Sequence, residues 1–316
     1  MRGRKPSGVR GQLSGPRGRP DKWKIAPFLA YVTPELDRGL LDRRLYLPQQ
    51  SWLSDPARCA EAGVPADTAF KTRPQQVIEM IDAAIEARVP FAWFTGDEEF
   101  GQNPALREHL EKAGISYVMA VPKNTVHTDP AGQVIPVNDL AAQLNHTAWQ
   151  RRACGIGTKG FRVYDWALID TGHADHHYMI RKSIDDGELA FYRCHNPKHA
   201  GFGDLVTVAG ARWPIEECFG SGKNEVGLDE YQVRKYSAWH RHITLAMLAH
   251  TFLAITAHKA KKRGANKPGH CTSTTIHPTN RDLHPSSTGN LALSPSPKSA
   301  GSCTTPTTTT RTQPPP

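Results

Sequence analysis

Pro90-Phe91-Ala92-Trp93-Phe94-Thr95-Gly96-Asp97 and, one helix later, Ile115-Ser116-Tyr117-Val118-Met119-Ala120-Val121 decide how this chain folds. Both are short, nearly unbroken apolar runs, the pattern of strands buried on two faces. Between them Asn103 and Pro104 open a helix that carries Leu106, Leu110 and Ala113 on one face, and Gly114 closes it. Strand, helix, strand with buried strands predicts a parallel pair in an α/β sheet. Asp97 stands at the C-terminal end of the first strand, where open α/β sheets place their active sites. A strand-end Asp also caps turns, and Glu98 and Glu99 read equally well as solvated neighbours.

Working outward, residues 26–32 and 39–47 are apolar runs separated by a turn-like Thr33-Pro34-Glu35-Leu36-Asp37, which predicts a hairpin. Thr72-Arg73-Pro74-Gln75 has the form of a capping box ahead of Val77, Ile81, Ala84 and Ile85 at helical spacing. After Pro122 the pattern becomes β-rich, at 161–169, 177–184 and 188–194, and predicts an inserted antiparallel subdomain. Helical periodicity returns over 205–226 and 237–263, the latter with Ile243, Leu245, Leu248, Ala249, Phe252 and Ile255 as its apolar set. From Gly264 the text turns to Thr, Ser, Pro and Asn, too poor in apolar residues to offset chain entropy, so 264–316 is expected to be a disordered low-complexity tail. The abruptness of the change is what translation out of frame would produce. The expected divisions are therefore 1–25, a basic arm; 26–122 and 204–263, two parts of one α/β domain; 123–203, the insertion; and 264–316, the tail.

The 39 Lys and Arg against 30 Asp and Glu, a net charge of +9, suggest a polyanionic partner such as DNA. Between Met1 and Lys24, Arg2, Arg4, Lys5, Arg10, Arg17, Arg19, Lys22 and Lys24 face a single acid, Asp21. Such an arm either lies on phosphates or is a solvated tail. No run approaches the ~18 consecutive apolar residues of a membrane span, and the basic N-terminus lacks the apolar region of a secretory signal. Cys59, Cys154, Cys194, Cys218, Cys271 and Cys303 form no C-x-x-C pair. A soluble protein of the reducing cytoplasm is the expectation.

A second chemical signal is Arg212-Trp213-Pro214-Ile215-Glu216-Glu217-Cys218-Phe219-Gly220-Ser221-Gly222-Lys223. Arg212, Glu216 and Lys223 fall at i, i+4 and i+11, on one side of a helix. An acid between two cations suits phosphate chemistry, and a surface ion-pair ladder has the same spacing. His173-Ala174-Asp175-His176-His177 invites a metal reading, but strand alternation splits His176 from His177 and no distant Cys or His set completes a site.

Arg-x3-Glu-x6-Lys resembles the Tyr-x2-Arg-x3-Glu-x6-Lys signature of insertion-sequence DDE transposases. Four blocks, Leu41-Asp42-Arg43-Arg44-Leu45-Tyr46-Leu47-Pro48, the stretch from Phe91 to Glu98, the stretch from Arg212 to Phe219, and Arg241-His242-Ile243-Thr244-Leu245-Ala246-Met247-Leu248-Ala249-His250, are similar, in order, to blocks of the 701-type branch. The resemblance implies an RNase H-like domain with a β-rich insertion between its second and third acids. It also implies two Mg ions held by two Asp and one Glu, which promote attack on a DNA phosphodiester. Asp97 matches the second acid and Glu216 the third, as catalytic residues and metal ligands. Arg212 and Lys223 are the implied DNA-binding residues, and Glu217 is a fallback ligand.

Two departures matter. Ala209 stands where the signature has Tyr. The family's first Asp lies on a strand preceding the stretch that resembles residues 5–15, so this chain is expected to begin after it. Asp42 is a tempting substitute, but it sits inside a block that resembles the third strand, and whether any residue replaces the first Asp is open. The expected protein is a DDE-type transposase fragment, inactive for want of its first Asp, partnered by element-end DNA, away from membranes, with a homo-oligomer as a further expected partner state. A non-catalytic DNA-binding or regulatory remnant is the rival reading. The fold expected is α/β, RNase H-like and lacking its first, central strand. The strands at 26–32 and 91–94 would then close on each other, take the basic arm between them, or aggregate.

Overall fold

Residues 9–13, 20–33, 37–157, 160–265 and 289–295 are described by the computed structural model. In chain order they form β1 (Val9–Leu13), β2 (Pro20–Lys24), β3 (Pro27–Val32), β4 (Arg38–Arg43), α1 (Pro56–Ala62), α2 (Arg73–Glu86) and β5 (Phe91–Gly96). There follow α3 (Glu98–Gly101), α4 (Pro104–Lys112), β6 (Ser116–Val121), β7 (Val126–Thr128), β8 (Val134–Pro136) and α5 (Val137–Ala142). The remainder comprises β9 (Gln150–Gly157), β10 (Gly160–Asp170), β11 (His176–Lys182), β12 (Leu189–His195), α6 (Phe202–Gly210), α7 (Arg212–Val226), α8 (Tyr236–Ala265) and β13 (Gly289–Pro295).

Local sequence accounts for most of these elements. Thr72 and Gln75 close the capping box that starts α2: the Thr72 amide donates to Gln75 Oε1 at 2.8 Å, and the Gln75 amide donates to Thr72 Oγ1 at 3.4 Å. Asn103 caps α4 through the Leu106 amide at 2.9 Å, and Gly114 at φ 66° lets the chain turn into β6. β5 and β6 pair in parallel, and β3 and β4 form an antiparallel hairpin. Within the basic arm, β1 and β2 pair antiparallel as a separate ribbon.

The main sheet runs β4-β3-β13-β5-β6-β12-β11-β10-β9. The β-rich insertion is antiparallel throughout, and because β12 pairs antiparallel with β6 it carries β9–β11 on in the same sheet. One expectation is corrected by this order: the central strand is present. Gly289–Pro295, from within the expected disordered tail, lies antiparallel to β3 and parallel to β5. A central strand between an antiparallel hairpin and a parallel β–α–β pair is the RNase H-like arrangement, here closed by a segment from late in the chain. The physical reason is the pair of facing edges: each unsatisfied buried N–H or C=O costs about 1–3 kcal/mol, so an extended segment that reaches the gap is strongly favoured there. Residues 266–288 and 296–316 of the expected tail lie outside the described residues.

Helices cover both faces of the sheet. Phe28, Ala30 and Val32 of β3 point to one side and pack with Ile215 and Phe219 of α7 and Ile243 of α8. Leu29 points to the other, with Val77, Met80 and Ile81 of α2, Leu106 and Leu110 of α4, Phe94 and Leu291. This strict alternation follows from the pleat. α6 covers the β6–β12 part, where Leu205, Val206 and Ala209 meet Val118, Trp166 and Cys194.

The long apolar helix expected over 237–263 is α8, but its apolar residues divide between two faces. Ile243, Ala246, Met247 and His250 are buried, whereas Leu245, Leu248, Phe252 and Ile255 are 59%, 65%, 68% and 50% exposed. By length and composition alone, Tyr236–Lys262 is apolar enough to cross a membrane, which the absence of an unbroken apolar run had concealed.

Candidate active site

The candidate site is built where β5 ends and α7 begins. Asp97 follows the last residue of β5 and caps α3: its Oδ1 accepts the Glu99 amide at 3.1 Å and the Phe100 amide at 3.4 Å. The turn-capping role and the strand-end position are thus the same geometry. α3 sits close on β6 because of Gly101, where a Cβ would lie 1.9 Å from the Ala120 carbonyl oxygen. Burial pushes the Asp97 carboxyl above the ordinary carboxylate range, outweighing the Arg212 guanidinium, the two amides and Arg73, which pull it back. Glu99 is likewise raised by burial and is paired with Arg73 at 2.7 Å, while Glu98 is exposed.

The start of α7 is placed by a second close approach. A Cβ on Gly210, the last residue of α6, would lie 1.8 Å from the Cys154 carbonyl oxygen of β9. The chain then enters α7 at Arg212, which together with Glu216, Trp213, Ala209, Arg181 and Tyr192 lines a cavity of about 170 Å³. Arg212 is therefore the residue common to the two acids: it borders the cavity with Glu216, and its charge acts on Asp97. Glu216 is solvent-exposed.

Other residues singled out from sequence have other partners. Lys223 pairs with Asp229 beyond the end of α7, at 3.5 Å, so it does not join the Arg212–Glu216 group through its charge. Glu217, the fallback ligand, is held by Arg38 at 3.0 Å and Arg162 at 3.1 Å. Asp42 pairs with Arg43 and Arg44, at 3.6 and 2.5 Å. In the histidine-rich turn, His176 meets Glu111 at 3.2 Å and stacks near His195, with ring centroids 5.0 Å apart. Among the described residues no group of three or more His, Cys, Asp or Glu is arranged to hold a metal ion.

Sequence reasoning missed the aromatic and cationic wall contributed by the β-rich strands. Tyr164 of β10 stacks flat on Trp213 of α7, with centroids 5.7 Å apart and planes 3° from parallel. Arg181 of β11 lies 4.6 Å from the Tyr164 ring centroid and 5.2 Å from that of Trp213, and Arg162 lies 5.2 Å from the Trp213 centroid. Guanidinium groups spread on aromatic faces are held in place while keeping their charge. The pattern of alternation at 161–169 and 177–184 was a signal for strands but held no information about which helix they would meet.

Chemically, a raised, partly buried carboxyl beside a guanidinium, with a second carboxylate in the neighbouring cationic cavity, suits recognition of a phosphate and one or two oxygen contacts to a divalent cation. No curated protein matches the chain. Among solved structures, the chain is similar to piggyBac transposase in a synaptic complex with hairpin DNA, determined by cryo-EM. The TM-score is 0.38 and the identity 12%, over 84% of this chain and 46% of that one, so the chain spans about half the length of that transposase. Residues 2–153 match the DDE superfamily endonuclease family, whose members work with divalent metal ions. That stretch, just under half of the chain, carries Asp97 and is what the chain has in common with the DDE superfamily endonuclease family.

Proposed function

We propose that the chain is a DNA-binding protein of DDE transposase type, from the 701-type insertion-sequence branch, which does not cleave DNA by itself. In this reading Asp97 and Glu216 are the second and third acids of the family's site, and Arg212 neutralises a backbone phosphate between them. The observation that carries it is the shared position of Arg212, which borders the cavity with Glu216 and acts on Asp97 at the end of β5. Arg181, on its aromatic support, adds a second cation to the same cavity. The site of action is the reducing cytoplasm, consistent with free Cys59, Cys154, Cys194 and Cys218.

The donor set does not fit the family's pair of Mg ions. Two hard cations sharing one site need several carboxylate oxygens to offset their charge. Here two acids lie beside two arginines, and Glu99 and Glu217 are occupied by Arg73, Arg38 and Arg162. Gly289-Asn290-Leu291-Ala292-Leu293-Ser294-Pro295, the strand in the sheet's centre, contains no acid. Among the described residues no third carboxylate joins Asp97 and Glu216, which supports the reading that in-line phosphoryl transfer is not assembled.

Purified protein, Mg or Mn, and a duplex ending in the element's terminal repeat test both halves of the reading. The expected result is binding that weakens steeply with salt, without nicking or strand transfer. Cleavage that disappears with Asp97→Asn would overturn the inactivity and establish an enzyme. Absence of any salt-dependent binding would overturn the DNA assignment.

A further inference from the structure

β3 and β5 never pair with each other; each turns its hydrogen-bonding edge toward β13. The segment between them makes register pairs from Asn290↔Val32 to Pro295↔Pro27 on one side, and from Gly289↔Phe91 to Ala292↔Thr95 on the other. A deep side-chain contact accompanies this backbone ladder: Leu291 is 0% exposed, in the cluster with Leu29, Val77, Met80, Phe94 and Phe100. Both flanking strands are fixed by their own neighbours, β3 by the β4 hairpin and β5 by β6. Among the described residues no element adjoins β13 in sequence, and the residues on either side of it, 266–288 and 296–316, are rich in Ser, Thr and Pro. What the fold presents is a gap of two strand spacings, roughly 9–10 Å wide, with two backbone edges and one apolar socket.

We propose that this gap is a peptide-acceptor slot: it binds an extended segment with a large aliphatic residue at the level of Phe94 by inserting it as a strand, and Gly289–Pro295 is its resident occupant in cis. Main-chain bonds on both sides give affinity with little demand on sequence, and the socket at Leu291 supplies the selectivity, as in other strand-addition complexes. The slot differs from an ordinary sheet edge in that its occupant is bonded on two sides, with Leu291 buried. Its occupancy also bears on the candidate site, because α7 packs on β13 as well as on β3 and β4. An empty slot removes part of the surface on which Arg212 and Glu216 are mounted.

The test uses the full chain with a specific protease site inserted within residues 266–288 and cut after folding. A fluorescein-labelled peptide covering residues 287–297 is then added, and protein-bound label is read by size-exclusion chromatography. The cut protein is expected to take up the peptide at least tenfold more than the same peptide carrying Leu291→Asp, and the uncut protein to take up neither over the same period. No uptake after cutting, or equal uptake of both peptides, would overturn the slot. Hydrogen exchange on the uncut chain provides a readout that needs no variant: amides of Phe28–Val32 and Trp93–Thr95 should be protected like those of Tyr117–Val121. Exchange at the rate of an open edge would overturn the insertion, and a dimer that falls to monomers on cutting would overturn occupancy in cis.

Discussion

Leu291→Ala is the sharpest test of the sheet. The side chain is 0% exposed and touches a cluster that includes Met80, Phe94 and Phe100, so truncation removes its transfer free energy and leaves a cavity in a packed layer. Fully buried Leu→Ala changes cost about 2–5 kcal/mol, a large part of a total stability of roughly 5–15 kcal/mol. Leu248→Ala is the matched control, the same chemical change at a residue 65% exposed, where the cost should stay within about 0.5 kcal/mol. With a urea dependence of roughly 2–3 kcal/mol per molar for a domain of this size, the Leu291→Ala midpoint should fall by about 1–2 M. Unfolding can be followed by the fluorescence of the buried Trp52, Trp166 and Trp239. Equal midpoints for the two variants would refute the placement of Gly289–Pro295 in the sheet.

Three further outcomes are expected. Asp97 has a carboxyl raised by burial above its ordinary value of 3.8, so the folded state holds its proton more tightly; that contribution is present below pH 3.8 and is lost as pH rises through the raised value. Asp97→Asn keeps a good helix cap, so its urea midpoint should exceed that of the parent at pH 7 and match it near pH 3; a lower midpoint at pH 7 would contradict the reasoning. His240 is driven down from 6.5 to about 4, first by burial and then by Arg43 and Arg44. Its contribution is therefore complete above pH 6.5 and is lost as pH falls toward about 4, and His240→Gln should flatten stability across that window; an NMR titration midpoint at 6 or above would dispose of this. Arg212→Gln should weaken DNA binding and reduce the salt slope by about 1, whereas Lys223→Gln, at a residue already paired with Asp229, should leave the slope nearly unchanged; equal losses at the two positions would count against the site.

Elements specified by their own residues were readable in advance. The capping box of Thr72 and Gln75, the Asn103 cap, the Gly114 stop and the apolar runs of β5 and β6 are local devices. So is the end of β5, which is why the strand-end position of Asp97 was readable. β13 was invisible for the opposite reason. Leu291, Ala292 and Leu293 are a brief apolar island in Ser, Thr and Pro text, and what makes them a strand is two edges more than 190 residues earlier in the chain. The pairing of Lys223 with Asp229 was not readable, because helical spacing sets the face of Lys223 and says nothing of Asp229 in the following loop. In α8 the 3.6-residue period located the helix, but Leu245 and Leu248 are as apolar as Ile243, so composition held no sign of which face would be covered. The Tyr164–Trp213 stack needed the register of β10 and the position of α7 at once.

The late origin of β13 sets the order of events as the chain is made. β3 and β5 leave the ribosome long before Gly289 is synthesised; at roughly 5–20 residues per second, the interval between β5 and β13 is about 10–40 s. Throughout it, two inner edges and the socket beneath Leu29 and Phe94 have no final partner, and closing a contact so distant in sequence is intrinsically slow. Nascent chains of this protein therefore pass through a window in which they are prone to cross-chain strand pairing, and ribosome-associated chaperones that bind extended apolar segments have an obvious place to act. Its yield in a cell should respond more to the rate of translation downstream of Gly96 than to the stability of the finished fold.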